Sequence, residues 1–264
     1  GHERRKNSKL KMTKKELKDF LDEKADFYNT PDFIDADPIS IPHQFTKKQD
    51  IEISGFLMAT IAWGNRKSIL NSGEKLLQIL NHQPYDFILN HSEKDLKACK
   101  GFVHRTFNEL DLMYFLQALQ HVYQSYDSLE DAFVFHKKNT DLQTAISEFK
   151  KEFLSFGAPK RTHKHISDPL KNSAAKRLNM MLRWFVRKDN KGVDFGIWNN
   201  ISPSELSCPL DVHSARVARD LKLLKRKQND AKAVAELDKN LRKLDPLDPV
   251  KYDFALFGIG VYET

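Results

Sequence analysis

The sequence predicts an all-α fold, and three observations carry that prediction. Apolar residues recur at the i, i+3, i+4, i+7 spacing of a helix over most of the chain from Lys14 onward. No segment shows the apolar–polar alternation typical of a half-buried strand. Breaks that contain proline or glycine divide the chain into segments of helical length, which predicts about nine to eleven helices.

The elements can be followed in chain order through their apolar stripes. Representative stripes are Ile53/Phe56/Leu57/Thr60/Ile61, Leu112/Phe115/Leu116/Leu119/Tyr123, Leu142/Ile146/Phe149/Phe153, Leu178/Met181/Leu182/Phe185 and Val234/Leu237/Leu241/Leu244. Breaks are predicted at 31–42, 64–65, 101, 157–159, 189–209 and 245–249. For the last helix, Asp248 suits an N-cap, Pro249 the first helical position and Gly258 the C′ position. That helix is therefore predicted to run from Pro249 to about Phe257.

Length and composition bound the class of protein. A chain of 264 residues that is 40% hydrophobic can build one large domain or two small lobes. We expect one helical domain over residues 16–264, which could consist of two lobes with a cleft between them. Residues 1–15 are predicted to be a disordered basic arm or a cloning remnant. No apolar run approaches the roughly 20 residues that span a bilayer, and no secretory signal pattern follows the basic start, so a cytoplasmic protein is expected.

Cysteine usage argues against several kinds of site. The two cysteines, Cys99 and Cys208, are too few for a disulfide framework, a four-thiolate zinc site or an iron–sulfur cluster. Carboxylates that could converge on Mg²⁺ are not evident near the lysine- and arginine-rich residues 160–191. We therefore expect neither a metal ion nor a cofactor.

Positive charge is concentrated in one segment. Residues 160–191 contain ten basic and two acidic residues, an excess of 10 − 2 = +8 against +7 for the whole chain. The remainder is close to neutral, so the charge predicts a patch that follows a phosphate backbone. A solvated basic face is the alternative that charge alone leaves open.

Two positions in and after this segment could carry chemistry. Lys176 falls in the first turn of a predicted helix, where the positive end of the helix dipole and the neighbouring Arg177 favour the neutral amine. Asp211 falls at the N-cap of a helix predicted to reach about Leu224. A solvated lysine and an ordinary cap worth about 1 kcal/mol would explain the same pattern. His213 and Arg216 follow in the first turns of that helix, where a supporting hydrogen bond or a phosphate contact is expected.

Both positions lie in segments that resemble the helix-hairpin-helix DNA glycosylase superfamily. Asp211, His213, Arg216 and Val217 resemble its D-x-H-x-x-R-V aspartate motif, and KRLNMMLRW from Lys176 is similar to the segment that carries the Schiff-base lysine in the 8-oxoguanine branches. The separation, 211 − 176 = 35 positions, is nearest to that of the archaeal 8-oxoguanine type. The closing DPLDPVKYDFALFGIGV, and the chain from about residue 15, resemble an uncharacterised bacterial family beside these enzymes.

The chain also departs from the superfamily pattern. The glycine-rich hairpin L-P-G-x-G, whose amides hold a phosphate, has no counterpart in residues 160–175, and the four-cysteine cluster of the endonuclease III branch is absent. GFLMATIAWGNR, residues 55–66, occupies the place of the early helix and the minor-groove wedge. The resemblance thus implies wedge or pocket roles for Trp63, Asn65 and Arg66, although Trp63 suits the core equally well.

The resemblance implies a base-excision DNA glycosylase with AP lyase activity on a damaged base, with oxidised guanine as the inherited substrate. In such an enzyme Lys176 would form the Schiff base, while Asp211 would stabilise the sugar cation as the flipped base leaves. Both side chains should then approach each other across one cleft. Five aromatic residues could stack on the extruded base, although each is more typical of a core: Trp63, Phe102, Phe107, Trp184 and Trp198.

The expected partner is DNA, most simply a duplex with a flipped base, bound by a monomer associated with the nucleoid. The predicted DNA contacts around the cleft are Lys160, Arg161, Lys164, Lys171, Arg177, His213, Arg216, Asn65 and Arg66. Three alternatives remain open at this stage. They are a helical DNA- or RNA-binding module without chemistry, a monofunctional glycosylase or nuclease, and a helical interaction protein that binds no nucleic acid.

Overall fold

The computed structural model describes residues 12–263 and confirms the all-α prediction, with 65% of residues in helix and 2% in strand. Two-residue strands, β1 (Val103–His104) and β2 (Phe107–Asn108), pair antiparallel as a small hairpin that the sequence analysis did not predict. Alternation cannot reveal strands of this length, because the pattern needs at least four residues to show.

Two compact units divide the chain, and each is described by itself. The central unit, Ile34–Asp168, contains six α-helices. They are α2 (Lys48–Ile61), α3 (Arg66–Ile79), α4 (Pro84–Asn90), α5 (Glu109–Ser125), α6 (Leu129–Lys137) and α7 (Leu142–Leu154). The terminal unit takes in the described chain up to Phe33 and from Pro169 onward. Its helices are α1 (Lys14–Tyr28), α8 (Lys176–Val186), α9 (Val212–Asp220), α10 (Ala231–Leu244) and α11 (Tyr252–Tyr262).

Short 3₁₀ turns punctuate the described chain, and most of them begin at a proline. They are Pro31–Phe33, Pro38–Ser40, Pro42–Gln44, Asp95–Cys99, Lys160–His165, Pro169–Lys171, Pro203–Glu205 and Pro249–Lys251. Proline suits these positions because its fixed φ fits a first helical turn and its missing N–H would have had no partner there. The prolines thus account for most of the breaks that the sequence predicted.

The central unit is built around α2, whose residues 51–61 are all buried. Phenylalanine rings form its core: Phe56 contacts Phe115, Phe149 and Phe153 with ring centroids 5.3 to 5.9 Å apart. Glu52 lies in this apolar helix and is fully buried, yet its carboxylate accepts hydrogen bonds from the Leu129 and Glu130 amides. Those amides belong to the first turn of α6, so Glu52 satisfies them from a neighbouring helix, beside the Ser128 cap, and is itself satisfied.

In the terminal unit, α11 packs against both α1 and α9. The predicted start at about Pro249 is the start of a 3₁₀ turn that leads into this helix, whereas the predicted end near Phe257 is wrong, since the helix continues to Tyr262. Asp248 makes no side-chain cap bond, since its carboxylate pairs with Arg187, and the α-helix begins only at Tyr252. Gly258 lies inside the helix rather than at a C′ position, and a Cβ there would lie 2.3 Å from the ring of Tyr28. Gly258 therefore serves close packing between α11 and α1.

Two other predicted boundaries are also corrected. The helix that follows Asp211 ends at Asp220 instead of Leu224, because the backbone becomes left-handed at Lys222, with φ 59°. At the amino end, Thr13 accepts a hydrogen bond from the Glu16 amide and caps α1. Helix therefore starts within the predicted arm of residues 1–15, of which residues 1–11 lie outside the described part.

Among residues 12–263, no helix combines the length and the apolar character needed to cross a bilayer.

Candidate functional site

Lys176 is the first residue of α8, and the approach to it is unusual. Ala175 precedes it in the left-handed region, with φ 46° and ψ 43°, and offers no side-chain cap. Non-glycine residues in this region carry a conformational cost and depend on their surroundings to hold them. Beneath Lys176 the helix buries Leu178, Met181 and neighbouring side chains, which fixes the helix against the core. The Lys176 side chain remains 41% exposed.

Asp211 is the N-cap of α9, as predicted, and one of its oxygens is fully committed to that task. Oδ1 accepts from the His213 amide at 2.9 Å, the Ser214 amide at 2.8 Å and the Ser214 hydroxyl at 3.1 Å. The Ser214 hydroxyl in turn accepts from the Asp211 amide, which completes a capping box. The carboxylate is thus held in a single orientation, with its side chain only 10% exposed.

The other oxygen of Asp211 faces the lysine. Lys176 Nζ lies 3.5 Å from Asp211 Oδ2, although the two residues are 35 positions apart in the chain. Both belong to the terminal unit, so the expected approach of the two side chains is present within one compact body. An amine that is reachable from solvent therefore meets a carboxylate that is rigid and mostly covered.

A buried ionic network supports α8 below this pair. Arg183 donates to Asp194 at 3.1 Å and to Asp253 at 2.7 Å, and Arg187 donates to Asp194 at 2.8 Å and to Asp248. Burial raises the pKa of Asp253 to about 6, with the charge of Arg183 acting against that shift. Sequence reasoning missed this network, because arginines on a predicted basic helix gave no sign that they face inward.

The first turn of α9 is fixed by the last helix. A Cβ on Gly260 would lie 2.8 Å from the carbonyl oxygen of His213, so the two backbones are in direct contact. Arg216 donates to the Gly260 carbonyl at 2.6 Å, and the His213 ring stands edge-on to Phe257. The roles of His213 and Arg216 as phosphate contacts stay predictions, while their structural role in seating α9 is visible.

The other predicted DNA contacts of the terminal unit differ in accessibility. Lys171 is exposed, at the end of the 3₁₀ turn that precedes α8. Arg177 is only half-exposed, and burial lowers the pKa of its guanidinium. Lys171 is thus the more accessible of the two to a phosphate.

In the central unit, Lys160 and Lys164 are exposed, whereas three other predicted contacts have structural partners. Arg161 donates to both oxygens of the fully buried Asp111, at 3.2 and 2.9 Å, and holds the pKa of that carboxyl below its ordinary value even though burial acts in the opposite direction. Asn65 caps α3 by accepting from the Ser68 amide. Arg66 donates to the Ala36 carbonyl at 3.1 Å.

These pairings correct the charge argument. The predicted patch counted Arg161, Arg183 and Arg187 as available positive charge, but carboxylates outside the segment neutralise all three. The sum over residues 160–191 therefore overstates the charge offered to a phosphate backbone. Counting charge along a sequence fails here because partners distant in the chain meet only in the fold.

The predicted base-pocket residues are mostly wrong. Phe107, Trp184 and Trp198 are at most 1% exposed, and Phe102 is also buried, so none of them can stack on an incoming base. Trp63 alone among these side chains is partly exposed. Its ring contacts two histidine rings, with centroids 5.1 Å from His104 and 6.1 Å from His165.

In the part of the chain that the structure describes, no group of three or more His, Cys, Asp or Glu side chains converges in a way that could hold a metal ion. Cys99 and Cys208 are both buried free thiols, and burial raises the pKa of each. The site chemistry described here rests on Lys176 and Asp211.

Comparison with known proteins gives one finding about the family. The family model described as "Protein of unknown function (DUF2400)" matches residues 37–262, and no helix-hairpin-helix glycosylase family matches. The resemblance to that superfamily is therefore corrected, since short motifs around Asp211 and Lys176 do not establish membership. Neither the curated proteins nor the solved structures gave a match.

Proposed function

The chain belongs to the DUF2400 family of unknown function, and we propose from its Lys176–Asp211 pair that it is a base-excision DNA N-glycosylase with associated AP lyase activity. The observation that carries the proposal is the 3.5 Å distance between the accessible Lys176 amine and Asp211 Oδ2, the carboxylate oxygen that the helix cap does not use. A nucleophile paired with a positioned acid–base group is the arrangement that covalent catalysis needs. The proposal rests on this geometry and not on family membership.

The two side chains would divide the reaction between them. The Lys176 amine attacks C1′ of the nucleotide, and the base departs with the electrons of the glycosidic bond and takes up a proton. Asp211 Oδ2 lies within reach of the proton that the amine gives up, and its negative charge stabilises the oxocarbenium-like sugar. Ring opening then gives a C1′ imine, and loss of a C2′ proton expels the 3′ phosphate.

The rigid cap of Asp211 suits this role. A carboxylate that already has its charge and orientation fixed loses no free energy in reorganising as the sugar cation develops. Oδ1 is occupied by three donors, so only Oδ2 remains for the reacting centre. The cap and the catalytic function therefore use different atoms of one side chain.

Exposed lysines support DNA as the substrate. Lys160, Lys164 and Lys171 carry charge in solvent, and Lys176 itself is accessible. Phosphate contacts of this kind supply sequence-independent affinity. Because the reacting C1′ must reach a lysine beside a covered carboxylate, the damaged nucleotide would enter flipped out of its duplex. A protein with this activity would work on chromosomal DNA in the nucleoid.

Borohydride trapping tests the proposal directly. Wild-type protein is incubated with duplexes that contain an abasic site, 8-oxoguanine or no lesion, and the imine is reduced to a stable protein–DNA adduct. We expect an adduct with the abasic duplex, and with any lesion whose base the protein removes. Lys176→Ala should abolish the adduct while DNA affinity falls only slightly, since one lost phosphate contact changes the salt slope by about 1.

Lys171→Ala is the matched control, because it removes an exposed lysine of the same unit and leaves Lys176 in place. It should reduce affinity in the same way and keep the adduct. If wild-type protein binds DNA but forms no adduct with any of the duplexes, the lyase proposal is wrong and the non-catalytic binding module is favoured. An undiminished adduct in Lys176→Ala would show that another amine is the nucleophile.

A further inference from the structure

We infer that Asn172 is a positioning residue for Lys176. It acts through its bonds to the segment of residues 226–230, called the strap, which also holds the helix of Asp211. The inference rests on the proposed function for its catalytic consequence, although the strap is a structural feature in its own right. It concerns the loop of residues 169–175, which leads into α8, and the segment 226–230, which leads into α10.

Asn172 uses all four of its hydrogen-bonding groups. Its amide donates to the Pro169 carbonyl, and its own carbonyl accepts from the Ala231 amide. In the side chain, Nδ2 donates to Asp230 Oδ2 at 3.0 Å and Oδ1 accepts from the Lys232 amide at 3.3 Å. Asn172 thus satisfies two of the free amides at the start of α10, although it lies about 60 positions away in the chain.

Its backbone explains why asparagine stands here. Asn172 has φ 66°, in the left-handed region that asparagine tolerates better than most residues. The loop turns again through Ala175 immediately before Lys176. Two left-handed residues within four positions need contacts from outside the loop to hold them. The direction in which α8 begins therefore depends on those contacts.

The same segment is bonded to the helix of Asp211. Arg219, in the last turn of α9, donates to the Arg226 carbonyl at 2.8 Å and to Asn229 Oδ1 at 2.7 Å. Arg226 then forms a two-bond ion pair with Asp230, at 2.8 and 2.6 Å. Segment 226–230 is therefore fastened to α9 on one side and to Asn172 on the other.

Segment 226–230 therefore holds both the helix that carries Asp211 and the loop that precedes Lys176. Asp211 is rigid within α9, whereas Lys176 is a long side chain whose position follows from the start of α8. Releasing Asn172 from Asp230 would leave the lysine loop free to shift while Asp211 stays in place. A displacement on the order of 1 Å between reacting groups lowers a rate by up to about 100-fold.

The test begins with Asn172→Gly, which keeps the left-handed backbone and removes only the side-chain bonds. Asn139→Gly is the matched control, because Asn139 is also exposed and left-handed, with φ 63°, but lies in the central unit. A third variant, Asn172→Asp, also tolerates the left-handed backbone and keeps an oxygen for the Lys232 amide, but it cannot donate to Asp230 and places a second carboxylate against it.

Two readouts are measured on the full chain. The first is the single-turnover rate of borohydride-trapped adduct formation on abasic DNA, alongside DNA affinity. The second needs no DNA: lysines are reductively ¹³C-methylated, and the Lys176 signal is assigned by its absence in Lys176→Ala. Asn172→Gly should slow adduct formation about tenfold or more with DNA affinity unchanged, and should move the Lys176 signal. Asn172→Asp should cause both changes, and Asn139→Gly should cause neither.

The inference is overturned if Asn172→Gly leaves the Lys176 signal where the wild type has it. It is equally overturned if the signal moves together with those of lysines in the central unit, since loss of folding would do that. The two proposals can be separated: a wild type that forms no adduct removes the enzymatic proposal, while the Lys176 signal still decides whether the strap positions the lysine.

Discussion

Gly260 meets the backbone of His213 with no room for a side chain between them. A Cβ on Gly260 would lie 2.8 Å from the His213 carbonyl oxygen and 3.0 Å from its carbonyl carbon. The obstacle is main chain in the first turn of α9, two residues beyond Asp211, and cannot rotate away. The glycine therefore sets how closely the last helix approaches the helix of the reactive carboxylate.

Gly260→Ala should lower the free energy of unfolding by about 1–3 kcal/mol, because the overpacking cost exceeds the gain of up to about 1 kcal/mol in helix propensity. Urea unfolding followed by circular dichroism measures this. Gly73→Ala is the comparison, since a Cβ there would meet only side chains, Met58 Sδ at 2.6 Å and Ile41 Cγ1 at 2.9 Å, which can shift where main chain cannot. Equal stability losses in the two variants would contradict the argument from backbone contact.

Asp211→Asn should separate the cap from the chemistry. Asparagine caps a helix about as well as aspartate, so the melting temperature should stay close to that of the wild type. The negative charge beside Lys176 is lost, and adduct formation should fall about 100-fold or more. Asp211→Ala should lose about 1 kcal/mol of stability in addition. Full activity in Asp211→Asn would remove Asp211 from the proposed mechanism.

Asp238 should make the stability depend on pH. Burial raises the pKa of this carboxyl to about 6, even though the Cys208 amide donates to it. A carboxyl whose pKa is higher in the folded than in the unfolded state stabilises the fold while it is protonated. This stabilisation is lost as the pH rises from the unfolded pKa through the folded pKa. Relative to Asp238→Asn, the wild type should therefore lose about 3 kcal/mol between pH 4 and pH 6 and little beyond that window.

The check is urea unfolding of both proteins at several pH values, read as the difference between them. Asp238→Asn keeps an oxygen for the Cys208 amide, so the comparison isolates the charge. A difference that is constant from pH 4 to pH 7 would show that the carboxyl titrates normally.

Asp194→Ala should be strongly destabilising. Its carboxylate is completely covered and accepts from both Arg183 and Arg187. Removing one partner leaves buried guanidinium charge less compensated, at a cost of about 3–5 kcal/mol in unfolding free energy. Asp26→Ala removes an ion pair from the exposed surface, that with Lys191, and should change stability by no more than about 1 kcal/mol. The two variants are compared by urea unfolding.

The basic residues should separate by structural role in a salt titration of DNA binding. Lys160→Ala and Lys164→Ala should each lower the salt slope by about 1 and leave stability unchanged. Arg161→Ala should instead destabilise the protein, because buried Asp111 loses its guanidinium partner. If all three variants change only the salt slope, the assignment of Arg161 to the fold is wrong.

Local features of the fold were predictable from the sequence. Apolar spacing such as Leu178, Met181, Leu182 and Phe185 requires one buried helix face, and proline fixes its own φ wherever it stands. Asp211 at a helix start was predictable for the same reason, since capping involves only neighbours in the chain. These are short-range effects, and a sequence displays them directly.

What the sequence by itself determined was therefore the helical class, most of the breaks, and the presence of Lys176 and Asp211 at two helix starts. Tertiary structure alone decided that Asp211 Oδ2 faces Lys176, that Arg183 and Arg187 turn inward to buried carboxylates, and that Trp184 and Trp198 belong to the core. The physical reason is that a charge or a ring takes its role from partners distant in the chain, such as Asp253 for Arg183 and Asp248 for Arg187. Only packing brings those partners together.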